Sequence, residues 1–149
     1  MLKVTKKIEY ALIALKFMAQ KMPGELTSAR EVCDHFKTPF DTTAKVMQVM
    51  NTEKILTSVK GVKGGYTLSI ALNELNYFKL HTLIEDMHEN VCHNNKGLCD
   101  LHSACNIIAP MQQLNELLKE FLSTLSIQEL LFGAESPSQV ITTALKAKM

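Results

Sequence analysis

The chain has no apolar run long enough to cross a bilayer. The stretch nearest its start, Ala11 to Ala19, is interrupted by Lys16, and no small-residue cleavage pattern follows it. No membrane association and no secretion are therefore expected, and a cytoplasmic location is. The Walker spacing and the G-x-G-x-x-G spacing are both missing, which argues against a nucleotide-binding phosphate loop. No nucleophile, base and orienting acid are brought together by spacing, so an enzyme is not expected. Disulfide staples are also unlooked for: a chain of 149 residues with 46% apolar residues can bury a core without them. Its four cysteines are better suited to remain free thiols or to bind metal.

What is present divides unevenly. The formal charge of +1 is the balance of a basic first half and an acidic second half. Residues 1–70 hold 11 Lys or Arg against 6 Asp or Glu, and residues 71–149 hold 5 against 9. A surface that meets a polyanion belongs in the first half, although chance clustering gives the same asymmetry and charge alone decides nothing.

Patterning in that half is more specific. Ile8, Leu12, Leu15 and Ala19 recur at helical spacing from Thr5 to about Gln20, and Pro23 and Gly24 follow as breakers. A short helix then starts at Thr27 or Ser28, with Glu31 placed to complete a capping box and Val32 and Phe36 forming an apolar pair. A second start signal comes at once, with Thr38 as cap, Pro39 at the first helical position and Asp41 in the first turn. This helix runs to about Thr52 and turns Val46, Met47 and Met50 inward. Two short helices so close together are a helix-turn-helix pattern. Thr38, Asp41, Thr42, Lys45 and Gln48 form the candidate reading set, a modest one without arginine. An ordinary solvated helix face has the same composition.

The next segment reads as a hairpin wing. Ile55, Thr57 and Val59, then Tyr66, Leu68 and Ile70, alternate as strands do. Between them lies a glycine-rich tip with Lys60, Lys63, Gly64 and Gly65, which could approach a groove or phosphate through backbone N–H groups and charge. Gly64, Gly65 and Tyr66 are thus counted with the lysines as candidate DNA-binding residues.

The second half carries a helix from Asn76 to about Glu89, with Leu80, Leu83, Ile84 and Met87 on one side. A polar stretch with Cys92, Cys99 and Cys105 follows. Thiolates are soft, charged donors suited to zinc or iron–sulfur clusters, and the spacing is wider than that of a zinc ribbon. Three buried or redox-active thiols are the plainer alternative. Cys33, inside the first helix of the reading motif, is expected to pack. A strong helix from Pro110 to about Thr124 has a broad stripe of Met111, Leu114, Leu117, Leu118, Phe121, Leu122 and Leu125 that needs a partner surface, and a two-fold dimer would supply one. Ser126 opens a further short turn of helix through Leu130.

Several of these pieces together resemble a known family. They are Glu9-Tyr10-Ala11-Leu12, Ser58-Val59-Lys60-Gly61 leading to Gly64-Gly65-Tyr66, the triplet Cys92, Cys99 and Cys105, and Ser126-Ile127-Gln128-Glu129-Leu130. From Met1 to about Leu130 the chain is similar to the bacterial winged-helix repressors that include the iron–sulfur cluster assembly regulator IscR and the nitric-oxide-sensing repressor NsrR. The resemblance implies a mainly α fold, a winged helix-turn-helix with a long C-terminal dimerisation helix. Residues 1–75 would bind DNA, 76–131 would carry the cluster loop and dimer helix, and 132–149 would form a short tail. It further implies a homodimer on a semi-palindromic double-stranded operator, with one [2Fe-2S] or [4Fe-4S] cluster per subunit that controls DNA affinity in response to nitric oxide, redox state or iron supply. Cys92, Cys99 and Cys105 would be three ligands. The assembly regulators use a histidine three residues after the last cysteine, where this chain has Ile108. The nitric-oxide sensors use an acidic residue at the position of Glu9, supplied by the partner subunit. His93, His102 and Asp100 are competing donors, and serine, hydroxide or a small thiol could also fill the place. A cluster-free thiol regulator on the same scaffold and an adaptor that does not bind DNA are the alternative functions.

Overall fold

The computed structural model describes residues 4–85, 100 and 103–133. Helix α1 (Lys6–Ala19) starts where the Thr5 hydroxyl accepts from the Ile8 amide. Ile8, Ala11, Ala14, Leu15 and Met18 line its buried side, at the three- and four-residue spacing of one helix face. Helix α2 (Ala29–Phe36) is capped by Ser28, whose hydroxyl accepts from the Glu31 amide at 3.1 Å. The expected reciprocal half of that capping box is not formed, because the Glu31 carboxylate instead takes the Lys21 ammonium at 2.5 Å. Of the expected Val32–Phe36 pair, only Val32 enters the core. Val32 is fully buried, whereas Phe36 stays exposed and packs edge-on against Phe17 and His35.

Lys37 adopts a left-handed conformation at φ 58° and ends α2. Helix α3 (Phe40–Thr52) then has Pro39 at its N-cap, with no side-chain cap. Thr38 is therefore not the cap and Pro39 not the first helical residue. Its hydroxyl is engaged elsewhere: it accepts from the Thr43 hydroxyl at 2.9 Å and donates to the Cys33 sulfur at 3.5 Å. Thr43 and Cys33 are both buried, and buried polar groups need such partners. Cys33 packs in the motif as expected.

Lys54, also left-handed at φ 60°, turns the chain out of α3. The wing follows as an antiparallel pair, β1 (Leu56–Val59) with β2 (Gly65–Leu68), in the register Leu56 to Leu68 and Val59 to Gly65. The expected alternation from Ile55 is displaced. Ile55 and Leu56 are both buried, while Thr57 and Val59 are exposed. The reason is that the Ile55 amide is bonded back to the Met50 carbonyl at 2.8 Å in the turn that closes α3, so the strand begins only at Leu56.

Helix α4 (Tyr77–Glu85) follows Asn76, whose side chain accepts from the Lys79 amide at 2.8 Å. Leu80 and Ile84 are buried as expected. Met87 and the expected continuation to Glu89 lie outside the described residues. Helix α5 (Ile108–Thr124) begins two residues before Pro110, which sits in its first turn without an amide to lose. Helix α6 (Ile127–Phe132) is longer than the expected turn and opens on a full capping box between Ser126 and Glu129.

One hydrophobic core runs through these elements, joining α1, Val32, Val46, Met47, Met50, Ile55 and Leu56 to Leu72, Leu75, Leu80, Ile84 and Ile127. The fold is a mainly α winged helix-turn-helix with a small β wing and a long C-terminal helix. Ile127 is the anchor of the C-terminal part. Its side chain is fully buried, its amide bonds to the Leu75 carbonyl at 2.7 Å, and the Tyr77 amide bonds to the Leu125 carbonyl at 2.9 Å. Ile127→Ala is expected to cost about 2–5 kcal/mol in urea denaturation, against about 1 kcal/mol for loss of the cap in Ser126→Ala.

Candidate nucleic-acid interface

The turn between α2 and α3 and the wing that follows position the expected reading residues. On α3, Asp41, Lys45 and Gln48 are exposed, and Thr42 is half-buried. Thr38 is half-buried in the turn, occupied by the Cys33 and Thr43 bonds. The outer face of α3 has two unlike flanks. On one side Asp41, Thr42, Lys45, Val46 and Val49 border a groove of about 300 Å³ completed by Lys7 of α1 and Ile84 of α4. On the other side Phe40 meets Arg30 of α2.

Lys60 and Lys63 are exposed at the wing tip. Gly64 turns the tip, its amide bonding to the Gly61 carbonyl at 3.0 Å. A Cβ at Gly64 would stand 2.4 Å from the Val59 oxygen, and one at Gly65 would stand 2.9 Å from the Thr27 oxygen. Both glycines thus permit close backbone approach within the protein, whatever else they touch. Tyr66 does likewise: its amide donates to the Thr27 carbonyl and its carbonyl accepts from the Thr27 amide, both at 2.9 Å. This bridge ties the wing to the segment that leads into α2, a pairing that sequence periodicity does not show because it joins single residues far apart in the chain.

The expected metal ligands are divided. Cys92 and Cys99, like His93 and His102, lie outside the described residues. Cys105 is a half-buried free thiol ahead of α5, and Asp100 is exposed. Among the described residues no three His, Cys, Asp or Glu side chains are grouped to hold a metal. Glu9 is half-buried in the first turn of α1, its carboxylate taking the Lys6 ammonium at 2.6 Å. That hydrogen bond, and then the charge of Glu9, raise the Lys6 ammonium above its ordinary range. At the same end of the molecule the Glu85 carboxylate accepts from the Thr5 hydroxyl and pairs with Lys7 at 3.8 Å. Beside it the buried Tyr77 phenol is raised, by desolvation first and by the Glu85 charge second. Among the described residues no helix is long and apolar enough to cross a membrane.

A helix-turn-helix that runs straight into a two-stranded wing defines a DNA-binding transcriptional regulator, not an enzyme. Residues 4–132 match the family described as Rrf2, iron-dependent transcriptional regulator, and the chain belongs to that family. It is 26% identical over 126 residues to the HTH-type transcriptional regulator NsrR of Bacillus subtilis (strain 168), over 83% of this chain and 84% of that protein. It is 22% identical over 136 residues to the HTH-type transcriptional regulator NsrR of Shouchella clausii (strain KSM-K16), over 90% and 91% of the two chains. Among solved structures it is similar to CymR, the global cysteine regulator of B. subtilis, with a TM-score of 0.67 at 16% identity over 91% of this chain and 100% of that one. T. potens IscR gives 0.62 at 17%, over 90% and 89%. These structural likenesses concern the fold.

Lys60→Ala with Lys63→Ala is expected to weaken duplex binding similarly for all sequences. It should also make the dependence of log affinity on log salt shallower by about 2, measured by fluorescence anisotropy. Gly64→Ala is expected to cost about 1–3 kcal/mol in urea denaturation through the crowded Val59 carbonyl.

Proposed function

We propose that the chain is a homodimeric transcriptional repressor whose operator affinity is set by the chemistry of the cysteines between α4 and α5. The observation that carries this reading is the coupling of a winged reading head to a long helix with an unfilled apolar face. No residue of α5 is buried, and Leu114 and Leu117 are 42% and 46% exposed. A second copy would cover that stripe and set two heads against a palindromic operator. Asp41, Thr42, Lys45 and Gln48 would face base edges and Lys60 and Lys63 would meet the phosphates, while the Thr38 hydroxyl and the Gly64 and Tyr66 amides, already bonded within the protein, would position the helix and the wing.

Direct thiol control is the first form of regulation. Cys105 is a free, half-buried thiol just before the dimer helix, so joining it to Cys92 or Cys99 would release two protons and two electrons to an oxidant and constrain the segment that enters α5. CymR of Staphylococcus aureus, whose fold this chain shares, is known in an oxidized form.

An iron–sulfur cluster is the second form, favoured by the family description and the NsrR relatives. Cys92, Cys99 and Cys105 would hold it as soft donors, and Glu9 as a hard, weaker fourth. As the family resemblance implies, this Glu9 would come from the partner subunit, so that the cluster would join the two reading heads across the dimer. When bound, such a cluster would supply reactivity towards nitric oxide and oxidants. Glu9 would have to release Lys6 to take part.

Operator binding before and after oxidation, with iron and sulfide counts on anaerobically purified protein, separates the two forms. Thiol control predicts no iron or sulfide, and a redox response lost in Cys105→Ser while the reduced protein keeps its affinity. Stoichiometric iron and sulfide, with a spectrum altered by Glu9→Ala, would establish the cluster form instead. Absence of salt-dependent duplex binding in every state would overturn both and leave an adaptor role.

A further inference from the structure

The reading face of α3 lacks arginine, and the whole chain has one: of its 16 basic residues, Arg30 alone is not lysine. Arg30 lies on α2, yet its guanidinium carbon sits 5.0 Å from the centre of the Phe40 ring. Phe40 is the first residue of α3 and is 46% exposed. A large apolar ring at that position leaves much of its surface in water. Among the described residues no carboxylate pairs with Arg30, and the adjacent Glu31 is occupied by Lys21 at 2.5 Å.

Such a stack restricts a flexible side chain and holds a planar donor fork beside an apolar surface. The N-terminal residues of a recognition helix are those that reach base edges. There, a guanidinium matches O6 and N7 of guanine, and an apolar side chain matches the methyl group of thymine. Lysine, a point charge without a stacking plane, serves phosphate equally well but not this pair of tasks.

We propose that Arg30 and Phe40 form one base-reading unit that α2 and α3 build together and that selects a thymine–guanine step in each half-site. The ring contacts the thymine methyl while the guanidinium bonds in its plane to the neighbouring guanine. This inference rests on the reading of the chain as a DNA-binding repressor.

Selection of duplexes from a random pool by the full-length protein gives the preferred sequence. Anisotropy titrations of Arg30→Lys, Arg30→Ala and Phe40→Ala against that duplex and its single-base-pair variants then test the unit, with thermal unfolding by circular dichroism to confirm that each variant folds. The expected result is that Arg30→Lys and Phe40→Ala lose discrimination at the same step, by about 5- to 100-fold, and keep the other preferences. Uniform weakening by Arg30→Ala, with a salt slope shallower by about one and recovery in Arg30→Lys, would show a phosphate contact and overturn the proposal. Unchanged preferences in Arg30→Lys and Phe40→Ala would overturn it while leaving the repressor reading intact. Failure of the wild-type protein to bind any duplex would overturn the repressor reading itself, and this inference with it.

Discussion

Burial of one side of α1 is the contact on which the rest of the structure depends. Ile8, Ala11, Ala14 and Leu15 are wholly inaccessible, and α2, α3, α4 and β2 all pack against this helix. The two alanines leave room for neighbouring helices to approach, while Ile8 and Leu15 provide the apolar area, each worth about 1.5–3 kcal/mol when fully buried. The orientation of α3 follows from this packing, because Val46, Met47 and Met50 enter the same core. A reading face is useful only if its opposite face is held this firmly.

Polar details then adjust the reading head. Two left-handed lysines, Lys37 and Lys54, bracket α3, although neither is a residue type that favours that conformation. A chain from the buried Thr43 hydroxyl through half-buried Thr38 to the buried Cys33 sulfur fills the turn between α2 and α3. The reciprocal Thr27–Tyr66 bridge joins the wing to the approach to α2, so wing and helix-turn-helix are parts of one unit. The C-terminal helix is different in kind: none of its residues is buried, Leu114 and Leu117 stay exposed, and it joins the head through α4 and through Leu122 and Leu125 beside Ile127.

Much of this was legible in the residues themselves. The extents of α1 and α3, the hairpin and the Ser126 start were readable because each rests on a local signal, either a repeat of 3.6 or a cap within four residues. Errors arose where two local signals competed. Thr38 looks like a cap from its neighbours in sequence, but buried groups at Cys33 and Thr43 claim its hydroxyl. Glu31 looks like half of a capping box, but Lys21 reaches it from the end of α1. Ile55 looks like the first of an alternating strand, but the end of α3 takes its amide.

The candidate interface divides in the same way. The lack of arginine on the reading helix was plain from the sequence, and so was a wing with two lysines and paired glycines. Chain order alone could not show that an arginine from α2 lies over the first ring of α3, since pairing across two helices is set by their packing angle. The sequence by itself determined a helix-turn-helix with a wing in a basic first half, followed by a cysteine-bearing stretch and an apolar helix, because helical period, turn chemistry and charge are local properties. Only the tertiary structure decided which hydroxyls serve the core, why Gly64 and Gly65 have no room for a side chain, and that Glu85 ties α4 to the first turn of α1. Each of these depends on distances between segments remote in the chain, and packing around α1 sets those distances.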